Sequence, residues 1–157
     1  MIGRSLRPMS EDDVSVLVQM ERHLQPAPWD RDGFTKETEQ GGEVWVVTDD
    51  ETDSRIFGYL VFRKSEDAWQ LLNIVVDAES RRKGLAKEMI RKMINLAINS
   101  QTSRIQLQVR KSNSAALQLY QKMGFGITRV QKAFYSNGED AYHMDLILSD
   151  SEPQIQI

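Results

Sequence analysis

The alternation of apolar and polar residues divides most of the chain into strands and helices. Three segments with strand character follow one another, at Glu43–Thr48, Ile56–Arg63 and Ala68–Val76, separated by short polar loops. Apolar residues then recur at helical spacing through Leu85–Ile98, which predicts the longest helix. In Ile105–Val109 they alternate with glutamines, which predicts a further strand.

Shorter elements precede and follow this central part. A strand ends near Leu6–Met9, and Ser10 with Asp13 three residues later favours a helix start. Pro26 and Pro28 end that helix, and a second one begins at Asp30 or Asp32. The C-terminal elements are a helix at Ser114–Met123, strands near 127–134 and 141–148, and a hairpin-type turn at Asn137-Gly138.

Strands and helices in this order predict an α/β or α+β fold. The strand that follows the long helix should run parallel to the strand before it, because the helix provides a crossover connection. No internal repeat or linker divides the chain, so we predict one domain over residues 1–148. Residues 149–157 are polar and contain Pro153, which predicts a flexible C-terminal tail.

The composition removes several classes of function. The 157 residues are 40% hydrophobic and include no cysteine, which excludes disulfides, thiolate metal sites and a cysteine nucleophile. We predict no metal site. No apolar run is long enough for a membrane span, and the start of the chain has no signal segment, so we expect a cytoplasmic protein without a membrane partner. A net charge of −3 gives no electrostatic reason to expect nucleic-acid binding.

A basic, glycine-containing turn is the first candidate site. Arg81–Ala86 joins a predicted strand to the long helix, and basic residues greatly outnumber acids from there to Lys92. The start of a helix presents unpaired backbone N–H groups and a positive dipole end, which suit a phosphate or pyrophosphate. Gly84 lets the backbone approach such a ligand closely. The alternative is an ordinary strand-to-helix turn with solvated basic residues.

A second motif follows about one helix length later. Asn113–Phe125 contains an asparagine, a short helix with Tyr120, and a Gly-Phe pair at its end. The two motifs, in this order and spacing, resemble the GNAT superfamily of acetyl-CoA-dependent N-acetyltransferases. The resemblance implies the GNAT fold, with a mixed, mostly antiparallel central sheet flanked by helices, and acetyl-CoA as cosubstrate.

Three further stretches are similar to the RimI-type Nα-acetyltransferases of ribosomal proteins. They are Glu21–Phe34 with its Ala-Pro-Trp, Leu72–Asp77, and Tyr135–Met144 with its Asn-Gly-Glu-Asp-Ala. The resemblance implies transfer of an acetyl group to the N-terminal amine of a protein, such as a ribosomal protein. It also implies that the segment Gln25–Asp30, called the Pro-Trp loop below, and the last hairpin form the walls of a peptide groove. Trp29, Tyr142 and His143 are then candidate substrate contacts. Packing is the alternative role for Trp29 and Tyr142.

The resemblance also assigns residues to the cosubstrate. A backbone N–H near Val76 is the expected oxyanion donor, and Asn113 either shapes the pantetheine slot, caps a helix, or does both. The predicted cosubstrate contacts are Ile74, Val75, Val76, Arg82, Lys83, Gly84, Leu85, Ala86, Lys87 and Asn113.

Tyr120 and Gln108 are the predicted catalytic residues. Tyr120 matches the general acid of the family, because a phenol stays protonated at neutral pH and can protonate the CoA sulfur; a core tyrosine is the alternative. Gln108 stands where RimI-type enzymes carry a glutamate base, and an amide cannot hold the proton. His143, and less so Glu139 and Glu21, are alternative bases. An α-amine has a pKa near 8 and needs less help than a lysine side chain.

Two other functions stay open on the sequence alone. One is a GNAT acetyltransferase acting on a small amine such as a polyamine or an amino sugar, which favours a closed acidic pocket. The other is a weakly active acyl-CoA-binding module, suggested by the lost glutamate and opposed by the retained Tyr120.

Overall fold

The computed structural model describes residues 3–148, and their contacts group them into two units. One unit comprises the described residues up to Arg63 together with Asn73–Arg91. The other comprises Lys64–Leu72 and the described residues from Lys92 onward. The predicted tail at 149–157 lies outside the described residues, and the single domain stays a prediction. No helix within residues 3–148 is long and apolar enough to cross a membrane.

The first unit contains an antiparallel set of strands. The strand β1 (Arg4–Pro8) pairs antiparallel with β2 (Gly42–Asp49), and β2 pairs antiparallel with β3 (Ile56–Lys64), whose first seven residues are all buried. The β2 and β3 strands match the predicted segments. The bounds in this part of the chain are β1 Arg4–Pro8, α1 Val14–Leu24, α2 Arg31–Glu39, β2 Gly42–Asp49, β3 Ile56–Lys64 and β4 Ala68–Val76.

Local side chains determine where the first two helices begin. The backbone N–H and hydroxyl of Ser10 both donate to the Asp13 carboxylate, at 2.7 and 3.1 Å, which is the predicted capping interaction. A short 3-10 turn at Glu11–Asp13 follows, and α1 continues from it. Asp30 accepts a hydrogen bond from the Gly33 N–H at 2.8 Å and caps α2, in agreement with the predicted start.

The second unit combines a parallel and an antiparallel ladder. Ala68–Leu71 of β4 pairs parallel with Arg104–Leu107 of β5, as the crossover predicts. The β7 strand then pairs antiparallel with both β5 and β6. The remaining bounds are α3 Leu85–Asn99, β5 Arg104–Arg110, α4 Ser114–Lys122, β6 Gly126–Gln131 and β7 Ala141–Ile147.

The predicted fold class is confirmed. Residues 3–148 form an α+β fold with a seven-stranded mixed sheet, mostly antiparallel, and four helices. The strand order is β1-β2-β3-β4 in the first unit and β4-β5-β7-β6 in the second. The apolar stripe of α3 is buried as its spacing predicts, at Leu85, Met89, Ile90, Met93 and Ala97.

Side-chain alternation gives the sheet of the second unit one apolar and one polar face. Leu107 and its partner Met144 are both buried on the apolar face. Because successive residues of a strand point to opposite faces, the neighbours on either side of this pair lie on the polar face. That face carries Gln70, Gln106, Gln108, Arg110, His143 and Asp145.

The predicted hairpin between the last strands is wrong in its details. The β6 strand ends at Gln131, and Asn137-Gly138 lies inside a longer loop that runs to Ala141. A two-residue hairpin of the Asn-Gly type needs positive φ at both residues, whereas only Gly138 has it here. The Gly138 N–H donates to the Tyr135 carbonyl at 2.8 Å, so the glycine occupies the last position of an ordinary β-turn.

Candidate active site

The glycine turn, Arg81–Gly84, leads directly into α3. Arg82 and Gly84 both have positive φ, at 65° and 76°. The Glu88 N–H donates to the Gly84 carbonyl at 3.0 Å, which is the first hydrogen bond of the helix. The N–H groups of Leu85, Ala86 and Lys87 therefore have no acceptor within the helix and project from its positive end.

The surroundings of the turn fit a pyrophosphate. Arg82, Lys83 and Lys87 are exposed, and they form no ion pair with another residue in the range 3–148. A Cβ placed on Gly84 would meet no atom of the described chain within 4 Å. Free N–H donors, exposed basic side chains and open backbone at one helix start provide what a phosphate group requires.

A carboxylate anchors the segment that enters this turn. Asp77 accepts the Ser80 N–H at 2.8 Å and pairs with Arg55 at 3.0 Å. Burial alone would raise the pKa of Asp77, but the hydrogen bonds from Arg55 and Ser80 outweigh it and hold the pKa below its usual value. Asp77 is therefore ionised at neutral pH and keeps the turn in place.

The predicted cosubstrate strand lies next to this anchor. Ile74, Val75 and Val76 are the last residues of β4, beyond the parallel ladder that ends at Leu71. Val75 is buried, whereas Ile74 and Val76 are half-buried. The Val76 carbonyl accepts a hydrogen bond from the Arg81 guanidinium at 3.3 Å, which links the strand to the glycine turn.

Tyr120 carries a buried phenol. It is 6% exposed, and its ring packs against Phe125 at a centroid distance of 5.9 Å. Its hydroxyl bonds to no residue of the described range. Burial, aided by the field of Tyr135, raises the pKa of Tyr120. An unpaired buried hydroxyl costs free energy, so this group is positioned for something other than stability.

The end of α4 holds this tyrosine firmly. The Phe125 N–H donates to the Tyr120 carbonyl at 3.0 Å, and the Gly124 N–H donates to the Gln121 carbonyl at 3.1 Å. These two bonds form the Schellman motif, which requires a left-handed residue at Gly124, where φ is 102°. The Gly-Phe pair therefore fixes the backbone of the residue that carries the phenol.

Tyr135 is a site residue that the sequence analysis did not select. Its ring stacks on the Arg110 guanidinium at 4.0 Å, and Arg110 pairs with Glu139 at 3.5 Å. Burial raises the pKa of Tyr135, although Arg110 opposes the shift. We call Tyr120, Tyr135, Arg110 and Glu139 the phenol cluster. Only its position inside the Tyr-Ser-Asn-Gly-Glu-Asp-Ala stretch marked Tyr135 in the sequence.

Gln108 and His143 lie side by side on the polar face. They are direct partners in the β5–β7 register. Both line a polar cavity of about 270 Å³, together with Gln70, Gln106, Thr128, Arg129 and Asp145. Gln108 forms no hydrogen bond with any residue between 3 and 148, so its amide is free to bind a ligand.

The three alternative bases differ in their surroundings. His143 bonds through Nε2 to the Gln131 side chain at 2.8 Å, and burial together with Arg129 lowers its pKa. It is therefore neutral at pH 7. Glu139 accepts the Ser112 N–H at 2.9 Å, a bond that lowers the pKa of Glu139 and makes it a poor base. Glu21 is fully buried and already accepts three hydrogen bonds.

The remaining predicted residues fall in different places. Asn113 accepts the Ala116 N–H at 3.2 Å and caps α4, so the helix-cap role is confirmed. Trp29 is half-buried and contacts Phe34 at a centroid distance of 5.3 Å. Tyr142 lies on the face opposite His143, because the two are consecutive in β7. A ligand bound on the polar face can therefore contact His143 but not Tyr142.

The described side chains also bear on metal binding. Within residues 3–148, no group of three or more histidine, cysteine or acidic side chains could hold a metal ion.

Comparison with known proteins identifies the family. Residues 14–125 match the model of the acetyltransferase (GNAT) family, which is more than half of the chain. The chain belongs to the GNAT family of acetyltransferases. The predicted family is thus confirmed, and the GNAT family uses acetyl-CoA.

Individual GNAT relatives resemble nearly the whole chain. A [ribosomal protein bS18]-alanine N-acetyltransferase of Salmonella typhimurium is 27% identical over 144 residues, covering 90% of this chain and 95% of its own. An N-alpha-acetyltransferase of Saccharolobus solfataricus is 29% identical over 153 residues, covering 89% and 90%. The crystal structure of the ribosomal-protein-S18-alanine N-acetyltransferase from Escherichia coli superposes with a TM-score of 0.85 at 22% identity, covering 98% and 99%.

The GNAT assignment also bears on one of the functions left open by the sequence, the acyl-CoA-binding module. The chain is an acetyltransferase and not merely an acyl-CoA-binding module. It resembles RimI-type enzymes throughout its described length. The identity to each relative is below 30%, so the amine that it acetylates is a separate question.

Proposed function

We propose that this GNAT enzyme transfers the acetyl group of acetyl-CoA to the N-terminal α-amine of a protein, by direct attack while both substrates are bound. Relatives named for bS18 alanine and for N-alpha acetylation support a ribosomal protein with an N-terminal alanine as the substrate. The resemblance to GNAT enzymes and the geometry described above support the following role for each residue.

Most of the residues proposed to bind acetyl-CoA lie in the first unit. The N–H groups of Leu85–Lys87, with Arg82 and Lys83, would bind the pyrophosphate at the glycine turn. The backbone of Ile74–Val76 would pair with the pantetheine arm, and a nearby N–H would stabilise the oxyanion. Asn113 would contact the pantetheine arm through its amide nitrogen, because its side-chain oxygen caps α4.

The proton transfers use the second unit. Tyr120 would give a proton to the departing thiolate, because its buried phenol stays protonated across the working pH range. Gln108 would hold the incoming amine by a hydrogen bond without taking its proton. His143 would face the same amine as a neutral imidazole, and the attacking amine would lose its proton to this ring or to water.

The charge of the polar cavity is the observation that favours an N-terminal α-amine as the substrate. Among its lining residues Asp145 is the acid and Arg129 the cation, and the others are neutral when His143 is uncharged. A polyamine carries several positive charges and needs more carboxylates than this. The lack of a carboxylate at Gln108 favours an α-amine, of which about a tenth is neutral at pH 7, over a lysine side chain.

A substrate panel tests the proposal. Thiol release from acetyl-CoA would be measured with a peptide that starts with alanine, the same peptide with a blocked N-terminus and an internal lysine, and spermidine. We expect the free alanine peptide to give the highest kcat/KM and the blocked peptide almost none. Faster turnover of spermidine or of the blocked peptide would contradict an Nα-amine substrate.

A further inference from the structure

Glu21 is a buried carboxylate that the proposed chemistry does not use. Its exposed fraction is 0%, and it forms no ion pair with any residue in the described part of the chain. Burial of an isolated carboxylate is costly unless its oxygens are hydrogen-bonded. An apolar side chain would fill the same space without this cost. The hydrogen bonds of Glu21 should therefore serve a purpose other than stability.

Those hydrogen bonds come from three separate segments of the first unit. The backbone N–H of Trp29, in the Pro-Trp loop, donates to Oε1 at 2.8 Å. The Asn73 amide, in β4, donates to Oε2 at 2.8 Å, and the Tyr59 hydroxyl, in β3, donates to the same oxygen. A single side chain on α1 therefore joins a loop to two strands.

Two neighbouring contacts extend this network. Gln25 donates to the Asn73 side-chain oxygen at 3.0 Å, which is a second link between the Pro-Trp loop and β4. Phe34 lies between the rings of Trp29 and Tyr59, with centroid distances of 5.3 and 6.0 Å. The loop is thus held by backbone, side-chain and aromatic contacts, and three of the residues involved, Trp29, Tyr59 and Asn73, also bond to Glu21.

The two segments that Glu21 joins have different predicted roles. The Pro-Trp loop is expected to form a wall of the peptide groove, and Asn73 directly precedes the strand residues expected to pair with the pantetheine arm. The Trp29 N–H donates to Glu21, whose side chain is fully buried, so the loop cannot move away from α1 without leaving a carboxylate oxygen unsatisfied.

We propose that Glu21 is a positioning residue that fixes the Pro-Trp loop against β4 and thereby sets the position of the peptide substrate. This proposal rests on the proposed function only in its statement about the peptide. The link between loop and strand can be measured without any substrate.

The test compares two buried glutamates. Glu21→Met removes every acceptor of the network at similar volume. Glu37→Met is the matched control, because Glu37 is also buried but pairs with Arg63 at 2.6 Å at the end of α2. We expect both variants to lower Tm. We expect only Glu21→Met to accelerate hydrogen exchange of the Trp29 amide and to raise KM for the alanine peptide, each by about tenfold, with a much smaller change in KM for acetyl-CoA.

Milder variants keep the test decisive if Glu21→Met does not fold. Glu21→Gln retains one acceptor oxygen for three donors, so its effects should be intermediate. Tyr59→Phe removes one donor and leaves the Trp29 bond, so the Trp29 amide should stay protected as in the parent. Rapid exchange in Tyr59→Phe, with slow exchange in Glu21→Gln, would contradict the assignment of the acceptor.

Two outcomes would overturn the positioning role. One is unchanged Trp29 exchange and peptide KM in the folded Glu21 variants. The other is an equal rise of peptide KM in Glu37→Met, which would show general destabilisation. If no N-terminal peptide is a substrate of the parent, the proposed function fails, whereas faster Trp29 exchange in Glu21→Met still supports the link between loop and strand.

Discussion

The glycine turn and the phenol cluster present their functional groups in opposite ways. At the turn the candidate groups are exposed backbone N–H donors and long basic side chains, and the Asp77 carboxylate, which accepts the Ser80 N–H, holds the segment in place. In the phenol cluster the candidate group is a single hydroxyl, which is buried and lacks a hydrogen bond within residues 3–148.

This difference predicts how each region responds to substitution. A site made of backbone donors tolerates changes of side chain and fails when the backbone changes. A site made of one buried hydroxyl fails when a single oxygen is removed, although the backbone stays the same. Each of the following experiments can strengthen or remove this contrast.

The largest effect is expected for Tyr120→Phe. Removal of the phenol oxygen should lower kcat by on the order of a hundredfold, because a positioned general acid is lost. Acetyl-CoA affinity should change little, and Tm should not fall, because the hydroxyl forms no hydrogen bond with the described residues that would be lost. Steady-state kinetics, calorimetry and thermal melting measure the three quantities.

Tyr142→Phe is the matched control for Tyr120→Phe, because Tyr142 lies on the face opposite His143. It should keep nearly normal turnover. A Tyr120→Phe enzyme with normal kcat would show that Tyr120 is structural or that solvent protonates the thiolate.

A smaller but clear effect is expected for Gly84→Val. Valine strains a backbone with φ of 76° and places methyl groups where the pyrophosphate should lie. The Kd for acetyl-CoA should rise by about tenfold or more, which corresponds to about 1.4 kcal/mol. Gly41→Val is the control, since φ there is 93° and the space around it is equally open among the described atoms.

Calorimetric titration with acetyl-CoA separates the two glycine variants. Both should lose similar stability through backbone strain, and only Gly84→Val should lose affinity. Equal affinities in the two variants would remove the pyrophosphate from the glycine turn.

The smallest effect, and the one that depends most on pH, is expected for Gln108→Glu. Burial and Arg129 lower the pKa of His143 from its usual value near 6.5, so this imidazole is mostly neutral above that pH. His143 should therefore add no titration step to the pH–rate profile above pH 6.5. The activity of the parent should then rise with pH toward the pKa of the α-amine, near 8.

A carboxylate at residue 108 should raise the rate mainly below pH 8 and leave acetyl-CoA affinity unchanged. The pH–rate profiles of the parent, Gln108→Glu and His143→Ala provide the measurement. A parent that already reaches its full rate near pH 6.5, and does so without His143, would show that another base exists.

Much of the fold was predictable because its signals are local. Ser10, Asp13 and Asp30 form caps within one turn of the chain, and the stripe of α3 follows from helical spacing alone. The C-terminal hairpin was less predictable. Asn137-Gly138 has a favoured hairpin sequence, yet the chain forms a longer loop in which the Asp140 carboxylate accepts the Ala133 N–H at 3.0 Å. No local sequence pattern predicts such a contact.

The sequence by itself determined the family, the glycine turn and the candidacy of Tyr120 and Gln108, because each depends on residues close together in the chain. Only the tertiary structure decided that the Tyr120 hydroxyl is buried without a hydrogen-bond partner among residues 3–148, that His143 lies beside Gln108, and that Glu21 joins the Pro-Trp loop to β4. These features depend on strand register and on contacts between residues up to 52 positions apart. Such contacts are set by the packing of whole elements, which no short segment specifies.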